Sequence, residues 1–145
     1  MRRKVLIRSG LSYLLDLYTQ FKLELLEYNE RIRETGYYVK PMHVTYKSDN
    51  GVKLKYVYFG RYWYRVNKRK KRLGWVYLGK EKPDPSLPDP PLNPFEGVSA
   101  IVLNDEDIEV GVETLQLLAR IEQSINQPGV FTKLLKENLS KGKGQ

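Results

Sequence analysis

The residues of this chain best suited to chemistry are rings and cations set side by side. The stretch KYVYFGRYWYRV, Lys55 to Val66, holds six aromatic residues and three Lys or Arg in twelve positions. NKRKKR (67–72) and LGWVYLG (73–79) follow it. Rings interleaved with cations suit an unpaired nucleic acid, because Lys and Arg track phosphates while flat rings stack on exposed bases. A duplex hides its base faces, so rings gain little there. Side chains alternate across a strand, and parity divides this region into two faces. Leu54, Tyr56, Tyr62, Tyr64, Val66, Val76 and Leu78 form the expected core face. Lys53, Lys55, Arg61, Trp63, Arg65, Trp75 and Tyr77 form the opposite face, the expected ligand face. Lys68, Arg69, Lys70, Lys71 and Arg72 add phosphate contacts at its rim. A bulge at Gly60 would shift this register by one.

The charge distribution supports a polyanionic partner. Net charge is +8, but residues 37–82 alone carry thirteen Lys/Arg against two Asp/Glu. Residues 1–36 are near balance, and residues 83–145 carry five basic and ten acidic side chains. A positive field this concentrated favours nucleic acid. A plain sheet also favours aromatics, and edge strands carry protective charges. A surplus of eleven positive charges in 46 residues exceeds what solubility requires. The alternative is a protein-interaction adaptor whose aromatic sheet face docks a partner chain.

Other chemistry is poorly represented. There are no cysteines, which excludes disulfides, thiol catalysis and Cys-ligated metals. His43 is the only histidine and reads as a structural strand residue. The acids at Asp84–Asp89 and Asn104–Glu109 lack calcium-loop spacing. The glycines form no phosphate-binding fingerprint. No arrangement points to an enzyme, a cofactor or a metal. No apolar run approaches the roughly 18 residues of a membrane span, and no export signal is legible, so the cytoplasm is the expected compartment.

The elements that must position the rings follow from periodicity. Leu11, Leu14, Tyr18, Phe21, Leu25, Tyr28 and Ile32 step by three or four, which predicts a long helix capped by Ser9 or Ser12 and ended by Gly36. Leu15, Leu17, Leu23 and Leu26 widen its apolar seam. Strands are expected at 37–47, 52–59, 61–66 and 73–79, with Asn50-Gly51 forming a type I′ hairpin turn. Six of eight prolines lie in the extended strap Lys82 to Pro94. Residues 97–103 suggest a further short strand, and Asn104 with Asp105, Glu106 and Asp107 suggests a helix start. A break at 126–129 precedes a last short helix and a frayed tail.

The expected fold is α+β: a four-stranded antiparallel meander packed on a long N-terminal helix, with a short helical C-terminal region. Residues 1–97 would form the binding domain and residues 98–145 an acidic helical oligomerisation region. A homodimer or tetramer is expected to use Leu115, Leu118, Ile121, Phe131 and Leu135.

The stretches YVYFGRYWYRV and RLGWVYLGKEKP, within the order helix, meander, Pro-rich strap and helical C-terminus, resemble the ThermoDBP group of archaeal single-stranded-DNA-binding proteins. The ThermoDBP-related proteins are the nearer likeness, over roughly residues 10–100. The resemblance implies a sheet-lined cleft for single strands and assembly through the C-terminal region. ThermoDBP proper is expected to end in a leucine zipper and an acidic tail, whereas here Asn126-Gln127-Pro128-Gly129 interrupts the helix and the tail is KGKGQ. That departure disfavours a simple zipper dimer.

Overall fold

The structure, a computed structural model, describes residues 3–69, 72–125 and 129–143. Its central element is β3 (Val52–Arg69), an 18-residue strand. On one edge β3 pairs antiparallel with β2 (Tyr37–Asp49). Its other edge is shared: β5 (Ser99–Leu103) covers Lys55 to Tyr58, and β4 (Arg72–Gly79) covers Trp63 to Arg69. β6 (Asp107–Gly111) then pairs with β5, and β1 (Lys4–Ile7) with β6. The sheet therefore has six strands and is open.

This corrects the expectation of four. The segments 52–59 and 61–66 are one strand, which runs on through a register shift where Gly60 and Arg61 have no partner in β2. Two strands were not anticipated. β1 is only four residues long, and β6 lies among the acids expected to begin a helix. Asn104 and Asp105 adopt φ of 54° and 58°, the left-handed pair that closes a tight hairpin between β5 and β6. The following helix, α2, spans Val112–Ser124. Asp107 serves a different helix: its carboxylate accepts the Ser9 N–H at 2.8 Å, at the start of α1. Ser9 itself has φ of 56° and makes no side-chain cap, contrary to expectation.

α1 spans Gly10–Arg31, and a 3-10 turn (Arg33–Thr35) follows before Gly36 turns the chain with φ of 81°. Leu14, Tyr18, Phe21, Leu25, Tyr28 and Ile32 are all buried, as their spacing requires. They lie on one face of the sheet, against Val39, Val57, Phe59, Trp63, Phe95 and Val98. Tyr18 meets Phe59 edge-on at 5.0 Å between centroids, and Tyr28 meets Trp63 at 6.4 Å. Burying such side chains stabilises the fold by about 1.5–3 kcal/mol each. Asn29 ties the helix to the outer edge of β2. Its amide donates to the Val39 carbonyl at 2.9 Å and accepts the Val39 N–H at 3.0 Å.

α2 and α3 (Val130–Lys143) pack against each other and close the same side of the sheet. Glu122 is wholly buried and joins them. Its carboxylate accepts the N–H groups of Phe131 and Thr132, the Thr132 hydroxyl and the Tyr13 hydroxyl. It thereby satisfies the first N–H groups of α3. Leu115, Leu118, Ile121 and Phe131 are buried inside this protomer. They are core residues of the single chain, not the free apolar surface expected for subunit contacts.

The Pro-rich strap returns the chain from β4 to β5 over the end of α1. The Tyr28 hydroxyl donates to the Pro88 carbonyl at 2.5 Å, and Lys82 Nζ donates to the Leu87 carbonyl at 2.9 Å and to Asp89 at 2.8 Å. Asn93 Nδ2 donates to the Gly60 carbonyl at 3.1 Å, and Gly97 N–H to the Phe59 carbonyl at 3.2 Å.

Candidate nucleic-acid interface

Within β3 the odd-numbered residues face the helices and the even-numbered residues face away. Val57, Phe59 and Trp63 are buried. Tyr56, Tyr58, Tyr62 and Tyr64 stand half-exposed on the other face. The expected assignment of faces in this strand is therefore inverted. Trp63, placed in advance on the ligand face, is 1% exposed and packs in the core. Leu54, Tyr56, Tyr62 and Tyr64, placed in the core, lie on the open side.

β4 behaves differently. Trp75 and Tyr77 are on the open face as expected, 52% and 51% exposed. Their neighbours explain why. β3 pairs with β4 in a register that sets Arg69 opposite Arg72. That register places even positions opposite odd ones: Val66 opposite Trp75, Tyr64 opposite Tyr77. Trp75 and Tyr77 thus share a face with the even-numbered tyrosines of β3. Between Trp63 and Tyr64 the register shifts, and Leu78 becomes the extra residue of a bulge.

β2 completes the open face. Its register shifts between Lys40 and Met42, across Pro41, so the face presented by successive residues changes there. Val39 packs inward before the shift and Met42 and Val44 after it. Tyr38 and Lys40 lie opposite Tyr64 and Tyr62; His43, Thr45 and Lys47 lie opposite Tyr58, Tyr56 and Leu54.

The result is a band of seven rings: Tyr38, Tyr56, Tyr58, Tyr62, Tyr64, Trp75 and Tyr77. Centroid separations are 5.1 Å for Tyr38–Trp75, 6.0 Å for Tyr64–Trp75, 5.4 Å for Tyr64–Tyr77 and 6.5 Å for Tyr62–Tyr77. Tyr56 and Tyr58 lie 6.3 Å apart with planes only 11° from parallel. The His43 ring adjoins Tyr62 at 5.4 Å. Lys47 Nζ sits 4.8 Å from the Tyr56 centroid, a cation–π contact. Burial first, then the neighbouring phenols of Tyr77, Tyr58 and Tyr64, raises the Tyr62 pKa above the ordinary tyrosine value.

The other expected site residues are dispersed. Lys53 is exposed over the Tyr46 ring at 4.8 Å, on the helix side of the hairpin formed by β2 and β3. Lys55 is half-buried opposite Tyr46. Arg65 lies over Tyr37 at 5.9 Å, again on the helix side. Arg61 is held near the strap, 4.0 Å from Glu96. Lys68, Arg69 and Arg72 are placed by their backbone at the end of the β3–β4 hairpin. Lys70 and Lys71 lie outside the described residues.

Tyr38, Lys40, His43, Lys47, Tyr56 and Tyr58 belong to the open face but were not read as site residues. The signal for the β2 residues was the Asn50-Gly51 hairpin, whose register sets Lys47 opposite Leu54 and His43 opposite Tyr58. Among the described residues no group of His, Cys, Asp or Glu is placed to hold a metal ion. None of the described helices is long and apolar enough to cross a membrane. No protein-family model, curated protein or solved structure matches the chain.

Proposed function

We propose that the chain binds single-stranded nucleic acid, DNA or RNA, across the open sheet face and with broad tolerance of sequence. One observation carries this reading. The seven-ring band lies on the side of the sheet that none of the described helices covers, within the segment that holds thirteen of the 25 Lys and Arg. From Tyr56 to Tyr64 the band runs eight residues, about 27 Å at ~3.3 Å per strand residue, which accommodates several stacked bases. Lys40 and Lys47 flank it, and the basic hairpin extends from one end. The resemblance to ThermoDBP-related proteins implies the same class of ligand.

The test is an anisotropy titration of labelled single-stranded DNA, single-stranded RNA and duplex at several salt concentrations. Single strands should bind more tightly than duplex, with affinity falling linearly on a logarithmic salt scale through counterion release. Equal affinity for duplex and single strands would remove the role of the rings.

A second reading, docking of a partner protein, draws support from β4. Trp75, Val76, Tyr77 and Leu78 are all exposed, and the strand pairs on one edge only. Such an edge can accept another strand. Binding dominated by that contact would change little with salt.

Self-association into a dimer or tetramer is part of the proposal, but its residues change. With the interior of α2 and α3 committed to the core, the exposed apolar side chains include Leu15, Leu23 and Leu26 on α1, Leu92 on the strap, Ile125, Val130 and Leu139. Light scattering should report more than one protomer at tens of micromolar. A monomer at that concentration would end this part of the proposal.

A further inference from the structure

One cavity beside the ring band has no part in the stacking scheme. It lies where the second edge of β3 changes partner. β5 covers that edge as far as Tyr58, and β4 resumes at Trp63. Between them a cavity of about 260 Å³ opens among Tyr58, Tyr62, Arg61, Lys80, Glu96 and Gly97. Drug-sized ligand sites occupy ~300–1,000 Å³, so this volume suits one nucleobase and not two. Tyr58 and Tyr62 belong to the band, which makes the cavity a side chamber of it.

The polar groups of the chamber are incompletely partnered. Arg61 Nε is buried and makes no hydrogen bond. The Glu96 carboxylate is 4.0 Å from it, beyond hydrogen-bonding distance, and its side chain is 56% exposed. The Arg61 side chain is 29% exposed and its charge is paired with Glu96, but a buried N–H without an acceptor is costly, and a ligand acceptor placed there would relieve the cost.

We propose that this chamber takes a single guanine from the bound strand; the inference rests on the single-strand reading of the open face. Guanine is the base that presents two adjacent donors, N1–H and the N2 amino group, on its Watson–Crick edge. One carboxylate, that of Glu96, accepts both. The neighbouring O6 is an acceptor, and Arg61 supplies the donor. Adenine and cytosine place an acceptor beside their amino donor. Thymine and uracil place one donor between two acceptors. Each of these turns a lone pair toward Glu96. Lys80, which also lines the chamber, meets the flanking phosphate. Binding is then tolerant along the band and selective at one position.

Full-length protein titrated with oligo-dT strands carrying one central dG, dA or dC tests this directly, with a matching oligo-rU series to separate DNA from RNA as the source of the base. A single guanine should tighten binding over dA or dC by about 5- to 150-fold, the discrimination of a good bidentate contact. Inosine, which lacks the N2 amino group, should lose most of that gain without any change to the protein. Glu96→Ala, checked for an unchanged melting temperature, should bring the strands of each series to equal affinity. Equal affinities for guanine, adenine and cytosine in the native protein would overturn the inference and leave the ring band standing. Failure to bind any single strand would overturn both.

Discussion

The two faces of β3 are built from similar rings set to opposite tasks. On the covered face, Val57, Phe59 and Trp63 carry no hydroxyl and pack under α1. On the open face, four residues of the same strand are half-exposed tyrosines. A ring with a polar tip can lie half-exposed at little cost, its body on the sheet and its edge solvated. The covered face shows what happens otherwise. Tyr18 places its hydroxyl in the core without a hydrogen-bond partner, and burial pushes its pKa far above the ordinary value. The difference teaches that aromatic content alone does not mark a binding surface. Within β3 the hydroxyl-bearing rings are the half-exposed ones, although on other elements Tyr18 and Tyr28 are buried and Trp75, without a hydroxyl, is exposed.

The two tryptophans give the sharpest way to break this comparison, since they occupy opposite faces. Trp63→Ala should produce the largest effect, a loss of about 3–5 kcal/mol in stability from the cavity left against Tyr28. Denaturant unfolding measures it, and a loss below 1 kcal/mol would mean that the ring is not in the core. Trp75→Ala should leave stability nearly unchanged, because half of the side chain is already in water. Its cost should fall on single-strand affinity, by about 1–3 kcal/mol for a lost stacking partner. Tyr64→Ala, which removes the ring touching both Trp75 and Tyr77, should lower affinity by a similar amount. A Trp75 variant that unfolds, or one that binds normally, would erase the distinction between the faces.

Much of this arrangement was legible beforehand, and the failures have one physical source. The buried stripe of α1 follows directly from its three- and four-residue steps. The Asn50-Gly51 hairpin was equally clear, with φ of 50° and 80° at the turn. The face of a strand is harder to read, because alternation identifies two sets of residues without saying which is covered. The choice here favoured the tyrosines as core and the cations with Trp63 as surface. It failed because Val57 and Phe59 share parity with Trp63, and because the strand register pairs Tyr64 with Tyr77 instead of Leu78. β6 was missed for a related reason. Asp105, Glu106 and Asp107 suit the first turn of a helix, but Asn104 and Asp105 also tolerate the left-handed turn that the hairpin requires. Local sequence permits both, and pairing with β5 and β1 selects the strand.

The basic hairpin should give the smallest effect and refines the comparison further, because its backbone continues β3 and β4 beyond the rings. If the rings supply base contacts and the hairpin supplies phosphate contacts, the two should respond differently to salt. Lys68→Ala combined with Arg69→Ala should weaken all single strands alike. The slope of log affinity against log salt should fall by roughly 0.7 per lost phosphate contact on single strands. Trp75→Ala, by contrast, should shift affinity at every salt concentration and leave the slope as it was, because a ring releases no counterions. Running both variants through the same salt titration separates the contributions. An unchanged slope in the hairpin variant would move the phosphate contacts to Lys40 and Lys47, which flank the rings on the open face. A reduced slope in the Trp75 variant would show that losing the ring also displaces the backbone from its cations, and that band and hairpin act as one surface.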